Sequence, residues 1–241
     1  MLDQKVLLSS GGMDSFLLAH EPELKGAIHV FVNIRQKYLD KEVAAAEKVA
    51  RLANARFTVV RSLDMSIYEH ESGIIPFRNA ELILCAAQKG NQIYLGVIAD
   101  EINSDKSVEF CTAMEQVLNI SHRQQYWTEG VNYSIRTPFR DFSKTKLLER
   151  YLAGGGRLER VLQSVSCYDA GAMHCGRCAS CFKRWVALTN VVGRNKWQQW
   201  GYVADPYTWQ TMGWWEVKFS EYDIGRAEEI SRAFWNAAQM T

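Results

Sequence analysis

The chain has 241 residues, 47% of them hydrophobic and 23% charged, with a formal net charge of +1. That length accommodates one α/β domain with an appendage, and the near-neutral balance excludes a protein that holds nucleic acid by bulk positive charge. No stretch approaches the roughly 20 apolar residues of a spanning helix, and Leu7 and Leu8 run straight into a polar loop, so neither a membrane span nor a secretory signal is expected. The cytoplasm is the expected location, that of the host if a phage encodes the chain. In chain order, Val6–Ser9 is predicted as a short buried strand, followed by a helix from about Ser15. Ala27–Ile34 is a second strand, rich in β-branched and aromatic residues. Lys41–Ala55 is an Ala-rich helix with apolar residues at helical spacing. Phe57–Leu63, Gln92–Ala99 and Tyr133–Phe139 are further strands. Asn79–Gly90, Val108–Ile120 and Ser143–Gly156 are helices, the last with a serine cap and a glycine stop.

Strands alternating with helices of ten or more residues predict an α/β fold, a Rossmann-like parallel sheet with helices on both faces. Ligands on such sheets bind at the carboxyl ends of the strands. From about Ser164 the character changes, so residues 1–163 are expected to form the α/β domain and 164–241 a small helical region. The final fifty residues hold six of the eight tryptophans: Trp197, Trp200, Trp209, Trp214, Trp215 and Trp235. Their charges are mixed rather than basic, so core or interface packing is expected of them in preference to stacking on nucleic acid. A homodimer is compatible with that surface.

SGGMDS (Ser10, Gly11, Gly12, Met13, Asp14, Ser15) joins the first strand to the first helix. The glycines permit backbone geometry that other residues resist. Successive N–H groups and the helix N-terminus make a concavity for an anion. Asp14 suits either a helix cap or a partner for phosphate-bound Mg2+. No lysine follows as in GxxxxGK[ST], and the spacing is not GxGxxG, which excludes the kinase-type and dinucleotide loops. The hexapeptide resembles the pyrophosphate loop of the N-type ATP pyrophosphatases. That resemblance implies ATP as cosubstrate and attack on its α-phosphate.

Four of the six cysteines, Cys167, Cys175, Cys178 and Cys181, fall within fifteen residues. Four thiolates close a tetrahedral Zn2+ site, and the two-residue gaps turn neighbouring thiolates onto one ion. An iron–sulfur cluster also takes four cysteines, although the ferredoxin spacing is not met. A closed four-thiolate zinc site is structural, and His174 is read as its neighbour.

The pyrophosphate loop followed by C-x7-C-x2-C-x2-C resembles the 7-cyano-7-deazaguanine synthase (QueC) family. Val32–Lys37 resembles its YGQ-R/K segment through Gln36 and Lys37. Gly73–Ala87 resembles its VPGRN segment through Pro76, Arg78 and Asn79. Glu109–Met114, Thr137–Leu148, Ser166–Tyr168 and the CGRCASC run with Lys183 and Arg184 after it also match, so the resemblance covers about residues 5 to 190. It implies an adenine nucleotide alpha hydrolase-like fold, with ATP, Mg2+ and Zn2+ as cofactors and with a deazaguanine substrate and ammonia as small-molecule partners. No direct contact with nucleic acid is implied. The implied reaction adenylates 7-carboxy-7-deazaguanine, admits ammonia to give an amide, and activates the amide to give 7-cyano-7-deazaguanine. Ser10–Ser15 would hold the phosphates, and Arg78, Lys144 and Asp105 are the candidate catalytic residues. The four cysteines would hold zinc.

The segment Ala99–Phe110 departs from the family pattern: Asp105 and Glu109 keep comparable places, while the arginine and proline are lost. The YGQ segment has lost its tyrosine and glycine. Two further readings stand beside the first. One is a diverged relative that stops at the amide or joins the activated deazaguanine to another amine. The other is a pyrophosphate-loop tRNA-thiolating enzyme.

Overall fold

The computed structural model describes residues 3–70, 75–99, 104–169, 171–208 and 224–239. The chain divides into two units, residues 1–141 and 142–241. The first is built on five strands: β1 (Lys5–Leu8), β2 (Ile28–Asn33), β3 (Arg56–Arg61), β4 (Gln92–Tyr94) and β5 (Ser134–Arg136). Their order is β3-β2-β1-β4-β5 and every pairing is parallel. The central register sets Leu7 opposite His29 on one side and opposite Tyr94 on the other.

Side-chain alternation divides the sheet into two faces. Val6, Val30, Val32, Val60 and Ile93 share one core with Ile83 and Ala86 of α3 (Arg78–Ala87) and Leu118 of α4 (Val108–Ser121). Leu7, His29 and Phe31 point the other way. The elements on that side are α1 (Met13–Ala19) and α2 (Leu39–Leu52), which bury Phe16, Leu17, Ala46, Val49 and Ala50. The chain therefore has the Rossmann-like α/β architecture expected of its alternating pattern.

Strand β4 is shorter than its apolar run. Pairing stops at Tyr94, although Leu95, Val97 and Ile98 are buried. β5 offers only three residues to pair with, and beyond them Leu95 donates one last ladder-like bond to the Arg136 carbonyl at 2.9 Å. The rest of the run is buried by packing rather than by a ladder.

The second unit packs α5 (Lys144–Ala153) and α8 (Ile224–Ala238) on α7 (Ala179–Val192), with a single turn, α6 (Leu158–Val161), between α5 and the cysteine cluster. Ser143 caps α5, its hydroxyl accepting from the Lys146 N–H at 3.3 Å, and Gly154 follows the last turn. Trp185 is fully buried, 5.8 Å from Phe182 and 5.9 Å from Phe234 between ring centroids, and its indole N–H donates to Asn195 at 2.9 Å. Truncating such a residue to alanine costs about 3–5 kcal/mol. Of the tail tryptophans, Trp200 is buried, Trp197 is partly buried and Trp235 is exposed. Trp209, Trp214 and Trp215 lie outside the described residues.

Candidate active site and metal centre

All five strands run parallel, so the loops after them open on one edge of the sheet. The Ser10–Ser15 turn lies there, after β1. Gly11 has φ +73°, a conformation that side chains resist. A Cβ on Gly11 would lie 2.5 Å from both the Ala45 Cβ and the Ala46 nitrogen, so α2 leaves room for nothing larger. Gly12 is the N-cap of α1 with no side-chain cap, and the Ser15 hydroxyl donates to its carbonyl at 3.0 Å. The Ser10 hydroxyl accepts from the Gly12 N–H at 3.4 Å. The first turn of α1 thus presents backbone N–H groups toward the sheet edge, the arrangement that holds an anion. Asp14 lies in that first turn, and Gly96 of the loop after β4 comes alongside it: a Cβ there would be 3.5 Å from the Asp14 Cβ. Met13 is fully buried, so its side chain belongs to the core. The Ser9 hydroxyl, just before the turn, is buried and has no protein partner among the described residues.

The loop after β2 brings a second group to this edge. Gln36, 7% exposed, donates from its amide to Glu42 at 2.6 Å, and its own carbonyl oxygen has no partner among the described residues. Burial raises the Glu42 carboxyl to about 7, against the opposing effect of the Gln36 hydrogen bond and the Arg78 charge. Lys37 meets Glu69 twice, through its backbone N–H at 3.2 Å and its ammonium at 3.4 Å. Arg78 begins α3 and acts on Glu42. The next residue, Asn79, donates to the Asp105 carbonyl at 3.3 Å, which joins two candidate segments. Past β5, Arg140 donates to the Cys111 sulfur at 3.7 Å and to the Thr137 hydroxyl at 3.1 Å; hydrogen bonds from its own backbone N–H and from Ser107 hold the Glu109 carboxyl low, and the Arg140 charge adds to them.

Two positions where the resembled YGQ and VPGRN segments carry glycine are occupied by Arg35 and Phe77. Both nonetheless take left-handed backbone, φ 63° and 61°. A backbone conformation that favours glycine is thus taken by an arginine and a phenylalanine.

In the second unit the four cysteine sulfurs lie within 4.8 Å of one another, Cys175 and Cys181 at 3.9 Å. Zinc–thiolate bonds of about 2.3 Å in a tetrahedron set sulfurs about 3.8 Å apart. Cys167 accepts from the N–H groups of Asp169 at 3.4 Å and Cys175 at 3.3 Å. Cys175 accepts from Arg177 at 3.3 Å, and Cys178 from Cys181 at 3.4 Å. Backbone donors of this kind favour the thiolate form. Gly176, φ +74°, makes the turn between Cys175 and Cys178, and a Cβ there would lie 1.9 Å from the Ala204 carbonyl oxygen. Hydrogen bonds from Cys178 and Cys181 hold the Cys167 thiol well below its ordinary range, and the same contacts push Cys181 well above it. Burial raises Cys175 to about 11. A bound cation supplies the charge that lets all four ionise. The four cysteines fit a single metal ion. Cys85 and Cys111 are buried and take no part.

Lys144 lies in the second unit, 4% exposed, at the start of α5. Its neighbours Ser143 and Thr145 both donate to Glu229, Thr145 at 3.1 Å. Glu42, Glu69 and Arg140 were not singled out by the sequence. A glutamate in the first turn of a charged helix reads as a solvated residue, and only the return of Gln36 onto α2 shows otherwise. Arg140 was legible as a cation directly after a strand of the sheet.

The family model for the queuosine biosynthesis protein QueC matches residues 63–192, more than half of the chain. The 7-cyano-7-deazaguanine synthase of Nitratiruptor sp. is 27% identical over 222 residues, which cover 79% of this chain and 96% of that one. The synthase of Rhizobium etli is 24% identical over 246 residues, covering 90% and 96%. A solved structure, the U34-tRNA thiolase NcsA from Methanococcus maripaludis with its 4Fe-4S cluster, is similar at a TM-score of 0.42 and 14% identity, over 64% of this chain and 57% of that one. At that level the likeness bears on neither ligand nor reaction.

Proposed function

Because the chain belongs to the QueC family of queuosine biosynthesis proteins, we propose that it is an ATP-dependent ligase making 7-cyano-7-deazaguanine from 7-carboxy-7-deazaguanine and ammonia. The observation that carries this reading is the Ser10–Ser15 turn. Gly11 is fixed there by both φ and space, and α1 begins at the carboxyl edge of β1. Its resemblance to the pyrophosphate loop of the N-type ATP pyrophosphatases assigns this turn to ATP, with attack at the α-phosphate, where positioning and charge stabilisation are what a loop can supply. The substrate carboxylate oxygen attacks that phosphorus and pyrophosphate leaves. Ammonia displaces AMP from the acyl carbon and loses a proton, giving the amide. The amide oxygen attacks the α-phosphorus of a second ATP and pyrophosphate leaves, and loss of AMP and of both protons from the nitrogen gives the nitrile.

In this scheme Ser10, Gly11, Gly12 and Ser15 position the phosphates and Asp14 meets a phosphate-bound Mg2+. Arg78 and Asp105 stand at the same sheet edge, and Arg78 is assigned to the developing negative charge. Lys144 is the third candidate catalytic residue. The metal held by Cys167, Cys175, Cys178 and Cys181 is zinc in this reading, and it supplies structure rather than a reactive position. Sulfurs this close favour one ion over a four-iron cluster, whose thiolates sit on separate iron atoms and stand farther apart.

The test is incubation of the protein with 7-carboxy-7-deazaguanine, ammonium and Mg-ATP, following product mass together with AMP and pyrophosphate. Nitrile with two AMP per product is the expected result. Amide with one AMP would support the diverged reading, which the altered Ala99–Phe110 segment favours. Absence of any ATP-dependent product would overturn both.

A further inference from the structure

Arg184 is fully buried in α7. Its Nη2 reaches the Leu162 carbonyl at 3.4 Å, and among the described residues Nε and Nη1 have no hydrogen-bond partner. No carboxylate pairs with it among the described residues. An uncompensated buried guanidinium is among the costlier things a protein core can contain. A site that keeps one has a negative charge nearby.

The surroundings of Arg184 identify that charge. Arg184 follows Cys181 by three positions, so both lie on one face of α7. The Arg184 guanidinium carbon is 5.9 Å from the centre of the Tyr202 ring, a cation–π distance. The Tyr202 hydroxyl donates to the Cys181 carbonyl at 3.3 Å. Arg184, Cys178 and Cys181 all act electrostatically on this one phenol. Because it donates that hydrogen bond to a carbonyl, Tyr202 keeps its proton and is not the counter-charge. His174, which packs on Tyr202 at 5.3 Å between ring centroids, carries no negative charge either. Among the described residues the remaining source is the cysteine cluster, where four thiolates around one divalent ion carry a net charge of −2.

We propose that Arg184 is the buried counter-charge of the four-thiolate metal centre, and that it sets how tightly the metal is held. This rests on the reading that the cysteines bind a divalent metal. Arg184 is a positioning residue: it touches no ligand atom of the ion, and it acts by stabilising the negative charge that metal binding places in the second unit. The dependence runs both ways. When the metal leaves, the thiolates take up protons, and Arg184 is then a buried cation facing neutral thiols.

That reciprocity gives a signature that a packing role lacks. Metal content is measured first on the unaltered full-length protein; absence of a bound equivalent of zinc would defeat the metal reading itself, separately from the role of Arg184. Zinc affinity is then measured by competition with a chromophoric chelator for the unaltered protein, Arg184→Met and Arg184→Lys. Loss of a supporting group around a metal typically weakens binding 10- to 100-fold, and Arg184→Met is expected to fall in that range. Arg184→Lys, which keeps the charge, is expected to recover most of the affinity. Thermal unfolding supplies the second readout. Zinc-loaded Arg184→Met should melt lower than zinc-loaded unaltered protein, whereas the metal-free variant should melt no lower than its metal-free counterpart. Unchanged zinc affinity, or equal destabilisation of the loaded and metal-free forms, would overturn the proposal. The second outcome would assign Arg184 to packing or to a carboxylate in the C-terminal segment.

Discussion

Gln36 holds one oxygen of Glu42 at 2.6 Å, and burial there raises the Glu42 carboxyl to about 7. Between its unfolded value near 4.5 and about 7, the folded chain binds the proton more tightly than the unfolded chain does. The stability from this site is therefore complete below about pH 4.5 and is lost as pH rises through 7. The shift corresponds to about 3 kcal/mol. Glu42→Gln should flatten the dependence of urea unfolding on pH between 5 and 8, leaving the variant relatively more stable at pH 8. An unchanged slope would show that Glu42 does not titrate there.

Gly11→Ala should damage both fold and activity. The left-handed φ costs a side chain about 1–2 kcal/mol, and the collision with Ala45 and Ala46 adds about 1–3 kcal/mol of overpacking. Displacing the turn by about 1 Å should lower pyrophosphate release roughly 100-fold. Ser10→Ala, at an exposed position, should leave the melting temperature nearly unchanged. Equal stability of Gly11→Ala and the unaltered protein in denaturant would contradict the packing described for α2.

Arg35→Gly and Phe77→Gly should be neutral or stabilising by up to about 1 kcal/mol. Relief of the left-handed penalty outweighs the entropy that glycine adds to the unfolded chain. Little contact is lost: Phe77 is 80% exposed, and the Arg35–Asp64 ion pair at 3.1 Å is on the surface. Arg35→Ala and Phe77→Ala relieve nothing and serve as controls in the same denaturation series.

Cys178→Ser should abolish stoichiometric zinc binding and lower the melting temperature, and a strong chelator should do the same to the unaltered protein. Cys85→Ser, distant in sequence from the cluster, should keep its full zinc content. Retention of one equivalent of metal by Cys178→Ser would mean that another residue completes the site.

The strand–helix alternation, the serine cap of α5 and the cysteine spacing were legible because each is local: it lies within a few residues and has one structural solution. Strand β4 was over-extended because a buried apolar run does not reveal how many residues its neighbour offers for pairing. The burial of Glu42, and of Arg184, which the sequence showed only as part of the CGRCASC–KR match, was invisible for a related reason. Both are charged residues in helices, where the default is a solvated face, and each is buried by a partner from elsewhere in the chain: Gln36 in one case, Tyr202 in the other. The left-handed Phe77 was hidden because an aromatic residue gives no sign of positive φ. Only the glycine in the resembled VPGRN segment hinted at it.

The turn between Cys175 and Cys178 is closed from outside by the chain beyond α7. His174 donates to the Gly201 carbonyl at 3.1 Å and accepts from the Val203 N–H at 2.8 Å, and Gly176 lies against Ala204. Residues 174–176 and 201–204 thus form a clasp whose loop contains the whole of α7. A mechanical load applied through the C-terminal segment would first strip α8 from α7 and would then meet this clasp, before α7 could be drawn from α5. The metal loop is then the point at which the second unit bears tension.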